Sequence, residues 1–181
     1  MSEQISMDQS HGELTLHTGR QGVGSKVGHD LTIRVGRWSA QATTEGTNVF
    51  DLRVVADLTS LEVVRGDGGL KPLTDKDRAT ILSNAASALQ VGNHPDLVFL
   101  ASGPHDTKIA TTVTGVVTLA GARKTQLLDV VVTRNGKGST ITVRGELVQS
   151  AFGIKPYSGL LGALKVRDMV EIRAEVRLPS D

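Results

Sequence analysis

Apolar and polar residues alternate with a period of two along most of this chain. The clearest run lies near the C-terminus, where Val170, Ile172, Ala174, Val176 and Leu178 alternate with Glu171, Arg173, Glu175 and Arg177. Successive side chains of a strand point to opposite faces, so this run predicts a strand with one buried face. Shorter runs repeat the pattern: Leu31, Ile33 and Val35; Phe50, Leu52, Val54 and Ala56; Val113, Val117 and Leu119 with Gly115; Ile141, Val143 and Leu147 with Gly145. Leu14 and Leu16 open the series. Leu127–Val132 is apolar on both faces, which implies a more buried strand or one whose outside meets a lipid or a partner.

Turn residues separate these runs. Arg134-Asn135-Gly136-Lys137-Gly138 predicts a hairpin, because Asn-Gly tolerates the positive φ that tight hairpins need. Glu45-Gly46-Thr47-Asn48 predicts another. One interval breaks the period of two. From Thr74 to Gln90, Ile81, Leu82, Ala85, Ala86 and Leu89 recur at helical spacing, and Thr74 with Asp77 resembles a capping box. A second short helical turn is expected around Leu160–Leu164, and Arg65–Pro72 reads as a glycine-rich loop. Many strands, short turns and one helix predict an all-β sandwich or barrel. Residues 1–12 are expected as a flexible lead-in and 13–179 as a single domain.

Composition narrows the function classes. A chain of 181 residues fits one domain. With 20 Lys+Arg against 19 Asp+Glu, it lacks the charge excess of an electrostatic nucleic-acid binder. The absence of cysteine excludes disulfides, zinc–thiolate sites and iron–sulfur clusters. Residues 1–19 carry no Lys or Arg and no apolar run, so no secretory signal is visible and a cytoplasmic location is expected. The longest apolar stretch, near Leu97–Ala101, falls far short of the ~20 residues that span a bilayer.

Candidate chemistry is sparse. Gly19–Lys26 has the glycines of a phosphate loop, but Ser25 precedes Lys26 and a strand, not a helix, is expected to follow. The histidines His11, His17, His29, His94 and His105 show no metal-ligand spacing. Ser139, Ser150 and Ser158 lie outside any nucleophile-elbow motif. Arg123, Lys124, Lys155, Lys165 and Arg167 lack the interleaved aromatics of a nucleic-acid platform. No catalytic constellation, metal or cofactor is expected.

Four segments carry a family resemblance. Gly28-His29-Asp30-Leu31 running into Thr32–Trp38 resembles the second strand region of YceI-like proteins. His94-Pro95-Asp96-Leu97-Val98-Phe99 is similar to the segment that follows their helix, and Val113–Gly121 with Arg123 to their glycine-containing strand–turn signature. Gln149-Ser150-Ala151-Phe152-Gly153-Ile154 resembles the motif before their last strand. The matches run in family order from about Glu13 to Leu178. The resemblance implies an extended, eight-stranded antiparallel lipocalin-like β-barrel with one α-helix, here about 74–90. It also implies a polyisoprenoid or similar long lipid held in an apolar lumen, often by a homodimer.

The expected function is therefore non-catalytic binding of a long apolar lipid, for carriage or storage. The inward set expected to contact it is Leu31, Ile33, Phe50, Leu52, Phe99, Val113, Val117, Val143, Leu147, Phe152 and Ile172. Phe99 and Phe152 are expected to gate or floor the lumen. Glycine is abundant and aromatics few, so small residues on the apolar face, such as Gly115 and Gly145, are expected to leave room inside. Two alternatives stand beside this reading. One is a barrel enzyme, an isomerase or cyclase acting on an apolar metabolite, which needs His29, Asp30 or Tyr157 in the lumen. The other is a filled barrel that acts as a stress-associated interaction module, with an apolar patch near Leu160–Leu164.

Overall fold

The alternating runs become strands of one curled antiparallel sheet. The computed structural model describes residues 1–108 and 110–179. In chain order the strands are β1 (Glu3–Asp8), β2 (Gly12–Gln21), β3 (Asp30–Val35), β4 (Trp38–Glu45), β5 (Asn48–Asp57) and β6 (Leu61–Asp67). The helix α1 (Asp75–Ala88) follows. Then come β7 (Asp96–Asp106), β8 (Thr111–Leu119), β9 (Ala122–Asn135), β10 (Gly138–Val148), β11 (Ser158–Gly159) and β12 (Leu164–Pro179). Their hydrogen-bonded order is β1-β4-β5-β7-β8-β9-β10-β12-β2-β3-β6, with β11 added to β12. The barrel-like, all-β class matches the expectation.

Among the described residues the count is twelve strands rather than eight. Bends in long strands account for most of the excess. β3 runs into β4 across Gly36–Arg37, and β5 into β6 across a turn of 3₁₀ helix at Leu58–Ser60. β1 is the continuation of β2 beyond a turn: β2 pairs with β3, and β1 with β4. Residues 1–12 therefore contain a strand instead of the flexible lead-in expected. Glu3–Asp8 is held residue by residue from Glu3↔Thr44 to Asp8↔Ser39, and Met7 packs on the core. The two-residue β11 completes the count.

At the bend the ribbon stays bonded. The Gly36 amide donates to the Ser60 carbonyl (2.9 Å) and the Asp57 amide to the Arg37 carbonyl (3.0 Å). The Ser60 hydroxyl accepts from the Arg37 amide (2.8 Å) and donates to the Asp57 carbonyl (2.6 Å). The Arg37 guanidinium reaches the Asp57 carboxylate (2.9 Å at Nε) and the Thr59 hydroxyl (2.9 Å). A side chain at Gly36 would place Cβ 2.9 Å from the Ser60 carbonyl oxygen, so glycine is needed for the close approach. This corner joins the two ends of the hydrogen-bonded path and gives the sheet its closure.

Local signals account for the other junctions. Thr74 accepts from the Asp77 amide (3.2 Å) while Asp77 accepts from the Thr74 amide (2.9 Å), the reciprocal capping box expected for α1. β9 and β10 form the expected hairpin, with Gly138 opposite Asn135. The positive φ there falls on Gly138 (132°), not on the Asn-Gly pair. The second helical region is only a 3₁₀ turn, Leu160–Gly162.

Two apolar clusters fill most of the interior. One gathers Phe99, Ala101, Val113, Val117, Val130 and Phe152 with Leu58, Leu119, Leu147 and Ile154. The other gathers Ile33, Val35, Trp38, Ala56, Leu61 and Val63 around the corner. The small residues expected to leave space do not do so. A Cβ at Gly115 would lie 2.5 Å from the Phe99 ring, and one at Gly145 would lie 2.5 Å from Leu128. Each glycine accommodates a neighbouring large side chain. Leu127 and Val131, the other face of the doubly apolar run, are more than two-fifths exposed.

Two outcomes follow. Ser60→Ala removes a hydroxyl that serves two backbone groups at the corner, and leaving such groups unpaired costs about 1–3 kcal/mol each. Its unfolding free energy, from a chemical denaturation series, should fall by that order. His17 lies on the outer face between Thr15 and Thr32, and partial burial, with help from Arg173, pushes its pKa below 6.5 against the pull of Glu171. The folded state thus binds that proton less readily than the unfolded chain. Stability should be highest above about pH 6.5 and decline as pH falls toward 5. In His17→Gln that decline should be smaller, as read from denaturation midpoints at each pH.

Candidate functional site

The chief cavity opens at one end of the barrel and has a volume of about 630 Å³. Register explains its walls. Ile172 of β12, Leu16 of β2 and Ile33 of β3 are paired in one row, and Val170, Thr18 and Leu31 in the next. All six line the cavity. Alternation along each strand carries these residues inward and their charged neighbours outward. Arg173 and Glu171, for example, pair with each other on the outside at 2.7 Å.

The opposite wall is α1. Ile81, Ala85, Ala88 and Leu89 recur at the spacing that builds one helical face, and all four face the cavity. The alanines give the site its depth, because a longer side chain there would enter the space. Leu70, Pro72 and Leu73, in the loop before α1, extend this wall toward the mouth. Leu58, Leu61, Leu119, Leu147 and Ile154 form the inner boundary and belong to the two core clusters, so the cavity lies between those clusters and beneath the helix.

Polar groups ring the mouth: Arg20, His29, Lys71, Asp77, Gln149, Tyr157 and Lys165. Most are already engaged. Arg20 donates to the Gly28 carbonyl and lies 3.8 Å from Asp30, while its backbone amide donates to Asp30 (2.8 Å). His29 Nε2 pairs with the Lys71 carbonyl (2.8 Å), tying the β2–β3 loop to the loop before α1. Asp77 belongs to the helix cap, where the Thr74 hydroxyl and amide hold its carboxyl below the usual range. Gln149 donates to the Arg167 carbonyl (2.9 Å).

Of the expected lipid contacts, Leu31, Ile33, Leu147 and Ile172 line this cavity. Phe99, Val113, Val117 and Phe152 are buried in the cluster behind its inner boundary, with Leu52 and Val143 packed against them. Phe50 lies at a bulge, where the β5–β7 register shifts between Val49 and Asp51. His29 and Tyr157 reach the mouth, whereas Asp30 is turned to Arg20. The helix wall, Leu70, Leu73 and the β2 residues Thr18 and Arg20 are absent from the expected set. The helix wall is signalled by the helical spacing after Thr74, and Thr18 and Arg20 by the period of two continued from Leu16, whereas Leu70 and Leu73 lie in a loop and carry no periodic signal.

Elsewhere chemistry is thin. Ser150 donates from its amide (2.7 Å) and hydroxyl to Asp168, whose carboxyl these bonds hold below its usual pKa. Among the described residues, no cluster of three or more His, Asp or Glu is placed to hold a metal ion. Among them, too, no helix is long and apolar enough to cross a membrane. A smaller hollow of about 280 Å³, along β1, β4, β5 and β7, shares no residue with the main cavity.

Known proteins share this architecture. The fold is similar to that of BcnA from Burkholderia cenocepacia, with a TM-score of 0.64 and 17% identity over 91% of this chain and 96% of that one. It is similar also to the Campylobacter jejuni YceI protein, with a TM-score of 0.62 and 16% identity over 82% and 84%. No curated protein sequence matches the chain. The YceI-like domain matches residues 6–178, which is nearly the whole sequence, and the chain therefore belongs to the YceI-like family.

Proposed function

We propose that this protein binds a long apolar lipid of the polyisoprenoid class in the cavity beneath α1, without catalysis, for carriage or storage. The observation that carries the reading is the cavity wall itself: two rows of mainly aliphatic side chains opposite an apolar helix face. Its volume of about 630 Å³ lies within the roughly 300–1,000 Å³ of small-molecule sites. Each methylene removed from water contributes about 0.8 kcal/mol. Fifteen or so would contribute on the order of 12 kcal/mol gross, within the range of about 4–15 kcal/mol that association costs. A hydrocarbon chain asks for such a wall and for little else.

The arrangement at the mouth favours binding over catalysis. A general acid or base needs a free proton site within reach of substrate. Here His29 Nε2 serves the Lys71 carbonyl, and the Asp77 carboxylate serves the helix cap. An apolar chain can enter with its polar end at this rim and its tail between the strand rows and α1.

Ala85→Trp tests the reading, because it sends an indole from α1 into the cavity. Incubated with geranylgeraniol and measured by native mass spectrometry, the unaltered protein should carry the added mass. The variant should lose at least tenfold in apparent affinity while unfolding at a similar temperature. An unaltered protein that never carries the added mass would overturn the proposal.

A further inference from the structure

Three segments converge on the mouth of the barrel: the loops Gly22–His29 and Gly68–Thr74, and Gln149–Lys165, which holds β11 and the first two residues of β12. They touch one another. The Gly24 amide donates to the Ala163 carbonyl (2.8 Å), Gly28 packs on Leu164, and His29 bonds Lys71. Together they expose an apolar rim. Leu161 is fully exposed, Val23 is 94% exposed, Leu70 75% and Leu160 60%. Tyr157 adds an exposed ring.

The leucines are held outward at a conformational cost. Leu160 and Leu161 have φ of 51° and 54°, the left-handed region that a side chain with a Cβ disfavours. Asparagine or glycine would sit there with less strain. Two strained, consecutive leucines, one fully exposed and the other more than half exposed, point to a role outside the fold.

Charge identifies the partner. The three segments contain Lys26, Lys71, Lys155 and Lys165, all exposed, and no Asp or Glu, in a chain whose net charge is only +1. Of the bordering carboxylates, Asp30 is paired with Arg20 and Asp67 with Arg65, Asp77 is hydrogen-bonded in the helix cap and Asp168 to Ser150, and Asp75 lies in the first turn of α1. Exposed aliphatic side chains among lysines suit the interface of an anionic bilayer, where apolar groups enter the acyl boundary and cations meet the headgroups. A second copy of the same face would bring two acid-free lysine clusters together, which like-charge repulsion opposes.

We infer that this rim docks the barrel, mouth first, on an anionic membrane surface. Docking so oriented sets the cavity entrance against the bilayer, so an apolar chain can pass between them without crossing water. The docking itself does not require the cavity to hold a lipid.

Vesicle flotation tests it. The full chain should float with vesicles of phosphatidylcholine mixed with phosphatidylglycerol, float much less with phosphatidylcholine alone, and be released by salt. Lys26→Gln and Lys71→Gln should each weaken binding by roughly fivefold. The double variant Leu160→Asn, Leu161→Asn should lose at least tenfold in binding while its unfolding temperature holds or rises, because asparagine tolerates the left-handed conformation. The Ala85→Trp protein should still float, which separates failure of the lipid-binding proposal from failure of this one. Equal flotation with neutral vesicles, or no flotation, would overturn the inference. So would a solution dimer that the leucine substitutions disperse, which would make the rim a self-association surface.

Discussion

The corner at Gly36–Arg37 and Leu58–Ser60 is the constraint on which the rest of the structure depends. A curled sheet of this length has two ends, and unpaired edges invite further strands. Here β3–β4 and β5–β6 turn together, keeping their mutual bonds through the bend, so the ribbon belongs to both ends of the sheet. The bend requires three things at once: a residue without Cβ at Gly36, a hydroxyl at Ser60 to take up backbone groups that the ladder leaves unpaired, and an ion pair between Arg37 and Asp57. With the corner set, β2, β3 and β12 lie side by side in the register that stacks Ile172–Leu16–Ile33 over Val170–Thr18–Leu31. The cavity wall is thus a consequence of closure.

The interior is divided unequally. Away from the helix, large side chains interdigitate with glycines: the Phe99 ring occupies the space over Gly115, and Leu128 that over Gly145. Dense packing of this kind leaves little room for a guest. Beneath α1 the opposing surfaces are kept apart by a helix whose inner face presents Ala85 and Ala88. A helix is wider than a strand, about 10–12 Å across with its side chains, and it cannot interdigitate with a sheet as closely as one sheet face with another. Short residues on its inner side therefore become volume. The hollow exists because an α-helix, not another strand, closes that end.

This explains which parts of the molecule the sequence discloses. Period-two alternation depends only on neighbours along one strand, so β12, β10, β5 and β3 are legible directly, and so is the capping box of α1. The strand count is less legible, because Gly36 and Ser60 look like ordinary loop residues until their partners across the ribbon are known. Inward direction is legible too, but depth is not. Leu31 and Val113 carry the same signal of burial, yet one faces the cavity and the other lies in the packed cluster. What separates them is the element opposite, and that is a property of topology. The same holds for glycine. Its abundance reads as missing bulk, whereas bulk from Phe99 and Leu128 is supplied across the strand.

The two ends of the barrel also differ in what they expose. At the end away from the mouth, tight polar hairpins such as Glu45–Asn48 and Asn135–Gly138 close the strands. At the mouth, three connecting segments are long, free of acidic residues and apolar at exposed positions. A site for a small polar metabolite would call for neither the long loops nor leucines in a disfavoured backbone conformation. A site for a chain that is itself insoluble in water does, because its entry is limited by passage through solvent rather than by the fit inside. On that argument the aliphatic wall and the aliphatic rim answer one physical problem. In the proposed reading the wall would lower the free energy of a bound chain, and the rim would lower the barrier to reaching it. The strain at Leu160 and Leu161 fits the docking inferred for the rim, in which their side chains would meet a surface outside the fold.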